Sequence, residues 1–490
     1  MAPLETEETV HGHHVRGREV EWGGEADRMK KAGLGFWPVA GTGVASVAPA
    51  MSFAGTIGVI ALSTGMGAPL AILIGTLLMT AVGLSFGELN RVFPSAGGFY
   101  AYLRQSMGSK TGWWMVWVYF ICAPIGTTVP GAIFALYFHD EWGLPFWLLA
   151  VVFTAVVLVL NLRGIGLAAK VMSLLALGQI LALLVLGIIV FIWASSNSAV
   201  FGSNLADMWS VSLDGVGFAG IVAGVFVGVF LFVGFENSAV LGEEARRGWR
   251  TVSLALVGAP LLTGIAYVVL AVLWMAPVTP SQMTTVQDSG APLNDILKFT
   301  GYGSLTALTS IVVVVASIAC EMGFLTSMSR VFYDLSRAGS FPGLFGKVNK
   351  HGTPLNGMLF VSAILFISIL LMTYADTFNT WVAFVALGGS ILYIFISLAN
   401  IVYFRRDWGT RAIFVNKIIP VVTLAAMVYV LVTGVPRYIQ VIGIIWALVG
   451  LLVMWGIHAT KGNQAFELEY EVISEVLDDG EVIIENPPST

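Results

Sequence analysis

Charged residues are scarce in this chain. Lys, Arg, Asp and Glu together make up 11% of its 490 residues, whereas hydrophobic residues make up 57%. Soluble domains carry about 25% charged and about 45–50% apolar residues. Cysteine is nearly absent as well, because only Cys122 and Cys320 are present, which is too few for a disulfide framework. The composition therefore excludes an ordinary soluble domain and a disulfide-stapled secreted one.

The usual signatures of enzymes and ATP-driven pumps are also missing. The segment GSKTG at Gly108 lacks the upstream glycine of a phosphate-binding loop. Only Glu236 and Glu321 lie deep within apolar runs, without the paired aspartates, His–Ser pair or metal triad of an intramembrane enzyme. The HGHH segment from His11 to His14 lies in a charged tail and is expected to be solvated. We therefore predict no catalytic residues, no metal site, no cofactor and no nucleic-acid partner.

Long apolar runs are what the chain has instead. Their lengths of roughly 18–25 residues suit helices that cross a bilayer. Twelve such runs can be distinguished, at about 43–63, 68–92, 112–138, 145–161, 171–193, 218–246, 251–275, 302–330, 357–374, 379–403, 413–433 and 438–458. The sequence therefore predicts an all-α polytopic membrane protein with 12 transmembrane helices embedded in the lipid bilayer.

The basic residues indicate how the helices are oriented. If the N-terminus lies in the cytoplasm, only Lys298 and Arg437 of the 24 Lys and Arg residues fall in outer loops. Basic residues hold loops in the cytoplasm. The outer loops carry acids instead: Asp140, Glu141, Asp207, Asp214, Asp288, Asp295 and Asp376. We predict a multi-pass protein of the cell inner (plasma) membrane with both termini cytoplasmic, comprising an N-terminal tail at 1–36, a transmembrane domain at 37–460 and an acidic tail at 461–490.

Two of the apolar runs contain segments that an uninterrupted helix would avoid. In the first, APAMSFAGTIG (Ala48–Gly58) contains Pro49, which lacks a backbone donor, and two glycines. In the sixth, VGFENSA (Val233–Ala239) places the carboxylate of Glu236 where an uninterrupted span would be apolar. Irregular backbone at membrane depth survives only inside protein or beside a water-filled cavity. We therefore expect both helices to be discontinuous, although two kinks without a ligand are the simpler alternative.

The placement of the two interruptions predicts both a repeat and a ligand. Matching interruptions in two halves of a chain mark the central site of a transporter. They open runs one and six, which predicts a 5+5 inverted repeat at about 40–195 and 215–405, followed by helices 11 and 12 at 411–459. A half-helix N-terminus suits a carboxylate, and a half-helix C-terminus suits an ammonium group or a metal cation. One break of each polarity would hold a zwitterion.

Four segments resemble the motifs of one transporter family. FVGFENSAVLGEEARR (Phe232–Arg247) resembles the sixth-span signature of amino acid–polyamine–organocation (APC) permeases. GELNRVFPSAGGFYAYL (Gly87–Leu103) is similar to the second-span exit of that family, and GMGAPLAILIG (Gly65–Gly75) to one of its branches. SRVFYDLSRAGSFPGLFGKVNKHGTP (Ser329–Pro354) resembles the link after span eight. The matches run in family order from about residue 40 to 460.

The resemblance implies a secondary transporter of amino acids or related amines, with alternating access around spans one and six. Amides at the first break would hold the substrate carboxylate, carbonyls at the second would hold its amine, and an aromatic residue would act as a gate. The predicted substrate-binding residues are Ser52, Ala54, Gly55, Thr56, Phe230 (the gate), Phe232, Val233, Phe235 and Glu236. Phe53 departs from the small-residue triplet of many relatives, which leaves the pocket size open. An amine or polyamine importer, an amino acid exchanger and a nutrient sensor are the alternatives.

Four residues are candidates for coupling: Glu236, Glu321, Gln179 and Ser317. By the resemblance, Gln179 occupies the place of a lysine that some proton-driven members carry, and glutamine cannot titrate. A proton would use Glu236 or Glu321, whereas sodium would need carbonyls near Pro49 to Ser52 and the Ser317 hydroxyl. Obligatory exchange would need neither ion. Structurally, Glu236 could also cap the second half of helix six by accepting hydrogen bonds from free N–H groups.

Charged residues at the predicted cytoplasmic helix ends allow two interpretations. They could be solvated residues that set the topology. They could also form an inner gate of ion pairs that closes in the outward-facing state. The residues concerned are Glu88, Arg91, Arg104, Glu243, Glu244, Arg246, Arg247, Arg330, Asp334 and Arg337.

Overall fold

The computed structural model is almost entirely helical in the part of the chain that it describes. The described residues are 9–10, 13–14, 34–94, 98–119, 129–132, 134–135, 143–162, 165–210, 217–242, 245, 248–289, 291–337, 341–349, 352–374, 378–434, 437–462, 475–476 and 482–483. Each tail contains one antiparallel pair of two-residue strands. These strands are β1 (Thr9–Val10) with β2 (His13–His14), and β3 (Glu475–Val476) with β4 (Val482–Ile483).

The helices of the first half end in an irregular segment. In chain order they are α1 (Phe36–Val47), α2 (Pro49–Thr64), α3 (Ala68–Val92), α4 (Phe99–Met107), α5 (Ser109–Tyr119), α6 (Phe146–Leu162), α7 (Ile165–Asn197), α8 (Phe201–Asp207) and α9 (Gly217–Phe230). A turn at 231–234 then leads into a 3-10 helix at Phe235–Leu241, called here the 3-10 segment. The predicted sixth run, 218–246, is therefore not one helix.

The second half contains long helices and two short ones that the sequence did not predict. In chain order they are α10 (Gly248–Met275), α11 (Pro280–Asp288), α12 (Pro292–Phe299), α13 (Thr306–Arg337), α14 (Leu355–Tyr374), α15 (Phe378–Tyr403), α16 (Thr410–Ile413), a π-helix (Phe414–Ile418), α17 (Ile419–Gly434) and α18 (Arg437–Lys461). The unpredicted pair, α11 and α12, lies between two apolar helices and begins with a proline at each N-terminus, where proline costs no hydrogen bond.

Six helical stretches of the described residues are long and apolar enough to cross a membrane: Phe36–Val92, Lys170–Asn197, Trp249–Met275, Gly303–Arg337, Thr410–Tyr429 and Arg437–Thr460. Three shorter apolar helices accompany them: Phe146–Leu162, Leu355–Leu371 and Leu387–Tyr403. The first stretch joins two predicted runs, and the predicted third run, 112–138, lies only partly within the described residues. The number of twelve spans and the inverted repeat therefore stay predictions.

The burial pattern is that of a membrane protein. Large apolar side chains such as Leu174, Leu452 and Trp455 are 70%, 69% and 71% exposed. Polar side chains such as Glu236 and Glu321 are fully buried. Lipid tails solvate apolar groups and leave polar ones without partners, so the polar residues must face the protein interior.

The two interrupted helices lie at the centre of the bundle. The half-helix α1 packs against α7, α10 and α13, and also against the 3-10 segment. The other half, α2, packs against α9 and α13, and its outer end is covered by α11. The 3-10 segment in turn packs against α10 and α13. Irregular backbone is thus surrounded by protein, as membrane depth requires.

Candidate functional site

The first helix break lies at Ala48. Its backbone is left-handed, with φ 50° and ψ 66°, and no other non-glycine residue in the described part of the chain has a positive φ. This conformation costs an L-residue roughly 1–2 kcal/mol. Pro49 then takes the first position of α2, where its missing N–H leaves nothing unpaired. The predicted discontinuity of helix 1 is confirmed, and it falls at the first two residues of APAMSFAGTIG.

The second break lies between Phe230 and Phe235. The helix α9 ends at Phe230, and the following turn ends at Gly234, whose φ is 115°. A Cβ atom at Gly234 would lie 2.6 Å from the carbonyl oxygen of Ser46. Both the backbone conformation and the lack of space therefore require glycine there. The predicted discontinuity of helix 6 is confirmed at this glycine.

The two breaks meet at Ser46, in the last turn of α1. Gly234 approaches its carbonyl oxygen, and Gly323 of α13 approaches its side chain so closely that a Cβ there would collide with Ser46 Oγ. Nearby, a Cβ at Gly43 would lie 3.0 Å from the carbonyl oxygen of Phe235. Three glycines thus let α1 cross the 3-10 segment and α13 at backbone contact. Small residues at crossings are typical of membrane helix packing.

The carbonyl groups at the end of α1 are bonded within the protein. The carbonyl oxygen of Ser46 accepts the Cys320 thiol at 2.8 Å, and that of Val47 accepts the Ser52 hydroxyl at 2.6 Å. The Ala48 N–H donates to Ala45 O at 3.0 Å. These bonds satisfy carbonyls that a helix C-terminus otherwise leaves open. Cys320 is buried here, whereas Cys122 lies outside the described residues.

At the start of α2, one free amide remains. The Ala50 N–H donates to Gln179 Oε1 at 3.0 Å, and the Ser52 N–H donates to Ala48 O at 2.9 Å. The Met51 N–H between them has no hydrogen-bond partner among the described residues. Met51 was missed by sequence reasoning. Pro49 could have predicted this free amide, because a helix that begins at proline leaves the N–H groups of the next residues without partners in the helix.

The predicted carboxylate contacts at Ala54, Gly55 and Thr56 lie further along α2. These residues are in its second turn, where amides bond to the carbonyl four residues earlier. The Thr56 hydroxyl bonds to Ser52 O within the helix. Ser52 is therefore the one predicted first-break residue that lies in the first turn of α2.

The carbonyls predicted to bind the amine at the second break differ in whether they have partners. Phe232 O accepts the Phe235 N–H at 3.3 Å, and Phe235 O accepts the Ser238 hydroxyl at 2.9 Å. The carbonyl oxygen of Val233 accepts no hydrogen bond from the described residues. Val233 is thus the predicted amine contact that remains open. The side chain of Phe230, the predicted gate, lies outside the described part of the structure.

Glu236 is fully buried, and among the described residues only one of its two carboxylate oxygens has hydrogen-bond partners. Its Oε2 accepts the Gly234 N–H at 3.0 Å and the Tyr393 hydroxyl at 3.1 Å. Its Oε1 has no partner within the described residues. The bond to Gly234 agrees with the capping interpretation. Tyr393, on α15, was missed because nothing in the sequence places α15 beside the second break. The Tyr393 ring also stacks on Phe235, with ring centroids 6.0 Å apart.

Glu321 is the second buried carboxylate, and in the described part of the protein neither of its oxygens has a partner. Ser317, one turn earlier on α13, donates to Val313 O at 3.1 Å and lies 3.4 Å from the Met51 sulfur. The side-chain nitrogen of Gln179 is also buried without a described partner. Polar atoms without a described hydrogen-bond partner therefore lie on α7 and α13, two of the helices that pack against α1.

Aromatic side chains fill the space beside the two breaks. Phe53 is fully buried and stacks on Tyr267, with ring centroids 6.1 Å apart. Phe232 meets the same tyrosine edge-on at 5.6 Å. The Tyr267 hydroxyl donates to Leu231 O at 3.1 Å. These rings make the neighbourhood of the breaks narrow and apolar.

The charged residues at the predicted inner helix ends are partly paired. Glu88 bonds to Arg91 at 2.9 Å and to Arg411 at 2.5 Å. Arg330 is fully buried and donates to Thr326 O at 3.1 Å. Glu243, Glu244, Arg246, Arg247 and the side chain of Asp334 lie outside the described residues. Arg411 was not among the predicted gate residues. Its ion pair with Glu88 connects α16 to α3, although the two residues are 323 positions apart in the sequence.

Apolar helices, paired breaks at their centre and buried carboxylates define a polytopic membrane transporter. Residues 41–463 match the family model described as amino acid permease, and the chain belongs to this family. The predicted APC resemblance is thereby confirmed. Members of this family are membrane transporters and not enzymes.

Several relatives of known function are similar over most of their length. The γ-aminobutyric acid permease of Bacillus subtilis is 24% identical over 73% of this chain and 76% of its own. The branched-chain amino acid permease of Lactococcus lactis is 23% identical over 70% and 76%. The low-affinity putrescine importer of Escherichia coli is 23% identical over 85% and 91%.

Among solved structures, a manganese transporter from Eremococcus coleocola covers 86% of this chain and 94% of its own, with 13% identity and a TM-score of 0.48. That structure holds an aromatic bis-isothiourea substituted compound.

Proposed function

We propose that this protein is a secondary active transporter that moves an amino acid across the cytoplasmic membrane by alternating access. The observation that carries the proposal is the meeting of two helix breaks at Ser46, one at Ala48 and the other at Gly234. Each break can act as a hinge because its backbone already departs from helical geometry. Movement of α1 against the 3-10 segment would expose the site to one side of the membrane at a time.

The open backbone groups favour a zwitterionic substrate. The Met51 N–H is a free donor at a half-helix N-terminus, which suits a carboxylate. The Val233 carbonyl is a free acceptor after α9, which suits an ammonium group. γ-Aminobutyric acid and the branched-chain amino acids, named for two relatives, carry both groups. Ser52 and Glu236 adjoin these positions, and Phe53, Phe232 and Tyr267 favour a neutral, apolar side chain.

Coupling to a proton is the favoured mode. Glu236 has one open oxygen and Glu321 has two, all buried. A buried ionised carboxylate is costly, so each would gain by binding a proton or another cation. Sodium would need the carbonyls near Pro49 to Ser52 and the Ser317 hydroxyl, which are neutral ligands, and the Ser52 carbonyl already accepts the Thr56 hydroxyl within α2. Obligatory exchange is the other mode. It needs no coupled ion, so neither carboxylate would bind one during transport.

The proposed transporter has its basic loops on the cytoplasmic side of the membrane. The basic residues of the loops favour a cytoplasmic location for both termini, residues 1–36 and 461–490. The ion pair of Glu88 with Arg411 and Arg91 then lies on the cytoplasmic side. Lipid surrounds the exposed apolar faces of the outer helices.

The substrate class is tested by thermal stability of the purified protein. A ligand that binds only the folded state stabilises it by RT ln(1 + [L]/Kd), about 2.7 kcal/mol at one hundred times Kd. Neutral L-amino acids are expected to raise the melting temperature more than their decarboxylated amines. The decarboxylated amine is the matched control, because it differs only in the carboxylate. Equal shifts for both members of every pair would refute the zwitterion assignment.

An amine or polyamine importer is the second candidate. The two partnerless oxygens of Glu321 favour it, because a carboxylate is the natural partner of an additional amine. A putrescine importer is also among the relatives. If diamines outcompete all amino acids in the same assay, this function replaces the first one. Glu321→Gln should then remove the preference for diamines.

A further inference from the structure

One face of α15 carries a row of buried polar side chains. Ser390, Tyr393, Ser397 and Asn400 are spaced by three or four residues, which places them on one side of the helix. Each of them is almost completely buried. Polar groups in a membrane helix are costly unless they have a role or a partner. We call this row, together with Asn416 and Thr423 opposite it, the polar stripe.

The upper part of the stripe begins at Tyr393, which is hydrogen-bonded to the buried carboxylate of Glu236. The Tyr393 hydroxyl donates to Glu236 Oε2 at 3.1 Å. The Ser397 hydroxyl lies 2.7 Å from Tyr393 O and 2.9 Å from the Thr423 hydroxyl of α17. The Thr423 hydroxyl also lies 3.0 Å from Pro420 O. Each of these two hydroxyls therefore has more than one acceptor for its single hydrogen and can reorient.

The lower part of the stripe leads towards the basic loop between α15 and α17. Asn400 lies three residues beyond Ser397, about 4.5 Å further along the helix. Asn416 lies seven residues before Thr423, about 10 Å in the same direction because the two helices are antiparallel neighbours. It belongs to the π-helix, which packs against α3 and α15. π-Helical turns are frequent at functional sites.

Open polar atoms lie at both ends of the stripe. In the described part of the protein, no partner is present for Ser390 Oγ, for either side-chain polar atom of Asn400, for Asn416 Oδ1 or for Glu236 Oε1. An unpaired buried polar group costs about 1–3 kcal/mol. Buried waters that make two to four hydrogen bonds commonly satisfy such groups. The stripe offers polar partners at successive steps of roughly one helical turn, which suits a file of waters.

We propose that the polar stripe between α15 and α17 holds a file of water molecules that carries protons between Glu236 and the cytoplasm. This rests on the proposed function, because it supplies the route for the coupled proton. A proton leaves the Glu236 carboxyl for the water beside Oε1, Glu236 is left as a carboxylate, and each water accepts one proton and passes one proton to the next. The last water releases a proton to bulk solvent beside the pair of Glu88 and Arg411. No net charge remains in the file.

Other ionisable side chains surround Glu236 without contacting it. The elements packed against the 3-10 segment are α1, α3, α4, α10 and α13. Their buried ionisable residues are Glu88, Tyr100, Tyr102, Arg104, Tyr267, Cys320, Glu321, Arg330 and Tyr333. Among the described groups, only Tyr393 and the backbone reach hydrogen-bond distance of the carboxylate. Glu321 lies on α13 and not on the helices that carry the stripe.

Water access is tested by thiol labelling. Asn400→Cys and Asn416→Cys are compared with Ala399→Cys, which is equally buried and at the same depth but one residue off the stripe. A small charged thiosulfonate reagent is added to the cytoplasmic side of membrane vesicles. Stripe cysteines should react about tenfold faster or more, because only a hydrated thiol ionises readily. Equal and slow reaction at all three positions would overturn the proposal, as would fast reaction only from the outside.

Proton transfer is tested by transport in proteoliposomes. Asn400→Leu and Thr423→Val are compared with Thr263→Val, which removes a buried hydroxyl without a described partner on α10. Uptake driven by a pH gradient should fall by about tenfold or more in the stripe variants, equivalent to ~1.4 kcal/mol in a barrier. Exchange of internal for external substrate needs no net proton movement and should stay within about twofold of wild type.

The outcomes separate this proposal from the function on which it rests. If the wild-type protein ignores the pH gradient, proton coupling is wrong and the stripe has no proton to carry. If the wild type responds and the stripe variants respond equally, coupling stands and the route is wrong. If the variants lose exchange and driven uptake together, the stripe has a structural role and the proposal fails. Selective loss of driven uptake, with Thr263→Val unaffected, supports the route.

Discussion

The side-chain oxygen of Gln179 accepts a hydrogen bond from the Ala50 N–H at 3.0 Å. Ala50 is the second residue of α2, and the amides of a first helical turn have no partner within the helix. Gln179 lies on α7, so this bond connects the first break to a neighbouring helix. A lysine at this position would have no acceptor to offer. The glutamine therefore has a definite structural role where the family resemblance suggests only a lost proton site.

Gln179→Leu is expected to destabilise the protein. The Ala50 N–H would then be buried without a partner, at a cost of about 1–3 kcal/mol. The measurement is the melting temperature in detergent, with Gly178→Ala, one residue earlier on α7, as the control because nothing lies within 4 Å of a Cβ there. Unchanged melting of the leucine variant would show that the bond does not stabilise the first break.

Gly234→Ala is expected to abolish transport. The new Cβ would lie 2.6 Å from Ser46 O, and the φ of 115° is unfavourable for any L-residue. The expected loss of stability is more than about 1 kcal/mol. Gly178→Ala is the control, because nothing lies within 4 Å of a Cβ there. Uptake into vesicles and the amount of folded protein are both measured. A Gly234→Ala variant with wild-type uptake would contradict the close crossing of the two breaks.

Glu236→Gln is expected to remove the pH drive while substrate binding persists. Glutamine retains an oxygen that can accept the Gly234 N–H, so the break should keep its shape, but it cannot release a proton. Tyr393→Phe should weaken the drive partially, because it removes one hydrogen bond from Oε2. Tyr438→Phe, which is exposed, is the control for the loss of a hydroxyl. Accumulation that depends on pH in Glu236→Gln would move the proton site to Glu321, and Glu321→Gln tests that directly.

Phe53→Ala is expected to widen substrate preference towards larger side chains. Phe53 is fully buried and stacks on Tyr267 beside the first break, so its truncation opens space. Phenylalanine-to-alanine changes in a core cost about 3–5 kcal/mol, and the thermal assay must therefore include bound substrate. Competition between valine and tryptophan for uptake measures the preference. Phe153→Ala is the control for lost aromatic packing, because Phe153 is fully buried on α6 against Phe134. An unchanged preference would place the pocket away from Phe53.

Phe230→Ala is expected to lower transport more than binding. An aromatic gate acts mainly on the occluded state, and lids commonly set turnover. The measurements are the initial rate of uptake and the affinity from thermal titration, made on the same preparation. Phe226→Ala, one turn earlier on α9, is the control. Equal losses of affinity and rate would make Phe230 a binding residue and not a gate.

Prediction from sequence succeeded where the signal was local or followed a fixed period. The apolar runs correctly located α6, α10, α14, α15 and α18 to within a few residues, because each run must match the thickness of a bilayer. Pro49 and Gly234 correctly marked the two breaks, because backbone chemistry limits what can follow them. The helices α11 and α12 were not predicted, since their short polar sequences contain no apolar run long enough to cross a bilayer.

The contacts between distant segments could not be predicted. The sequence shows that Glu236 lies at a break, but it does not show that Tyr393, 157 residues later, donates to it. The carboxylate contacts at Ala54, Gly55 and Thr56 stay predictions, and the structure adds Met51, whose N–H has no partner among the described residues. The exact residue at which a helix resumes depends on neighbours such as Gln179 and Cys320, which bond to the broken ends.

The sequence by itself therefore determined the membrane environment, the family and the two places where helices stop, because these follow from hydropathy and from the backbone chemistry of proline and glycine. The tertiary structure decided which of the freed groups stay open. Gln179 and Cys320 occupy one amide and one carbonyl at the first break, whereas Met51 N–H and Val233 O have no partner among the described residues. Such pairings depend on how α7 and α13 pack against α1, and no local pattern in the chain records that packing.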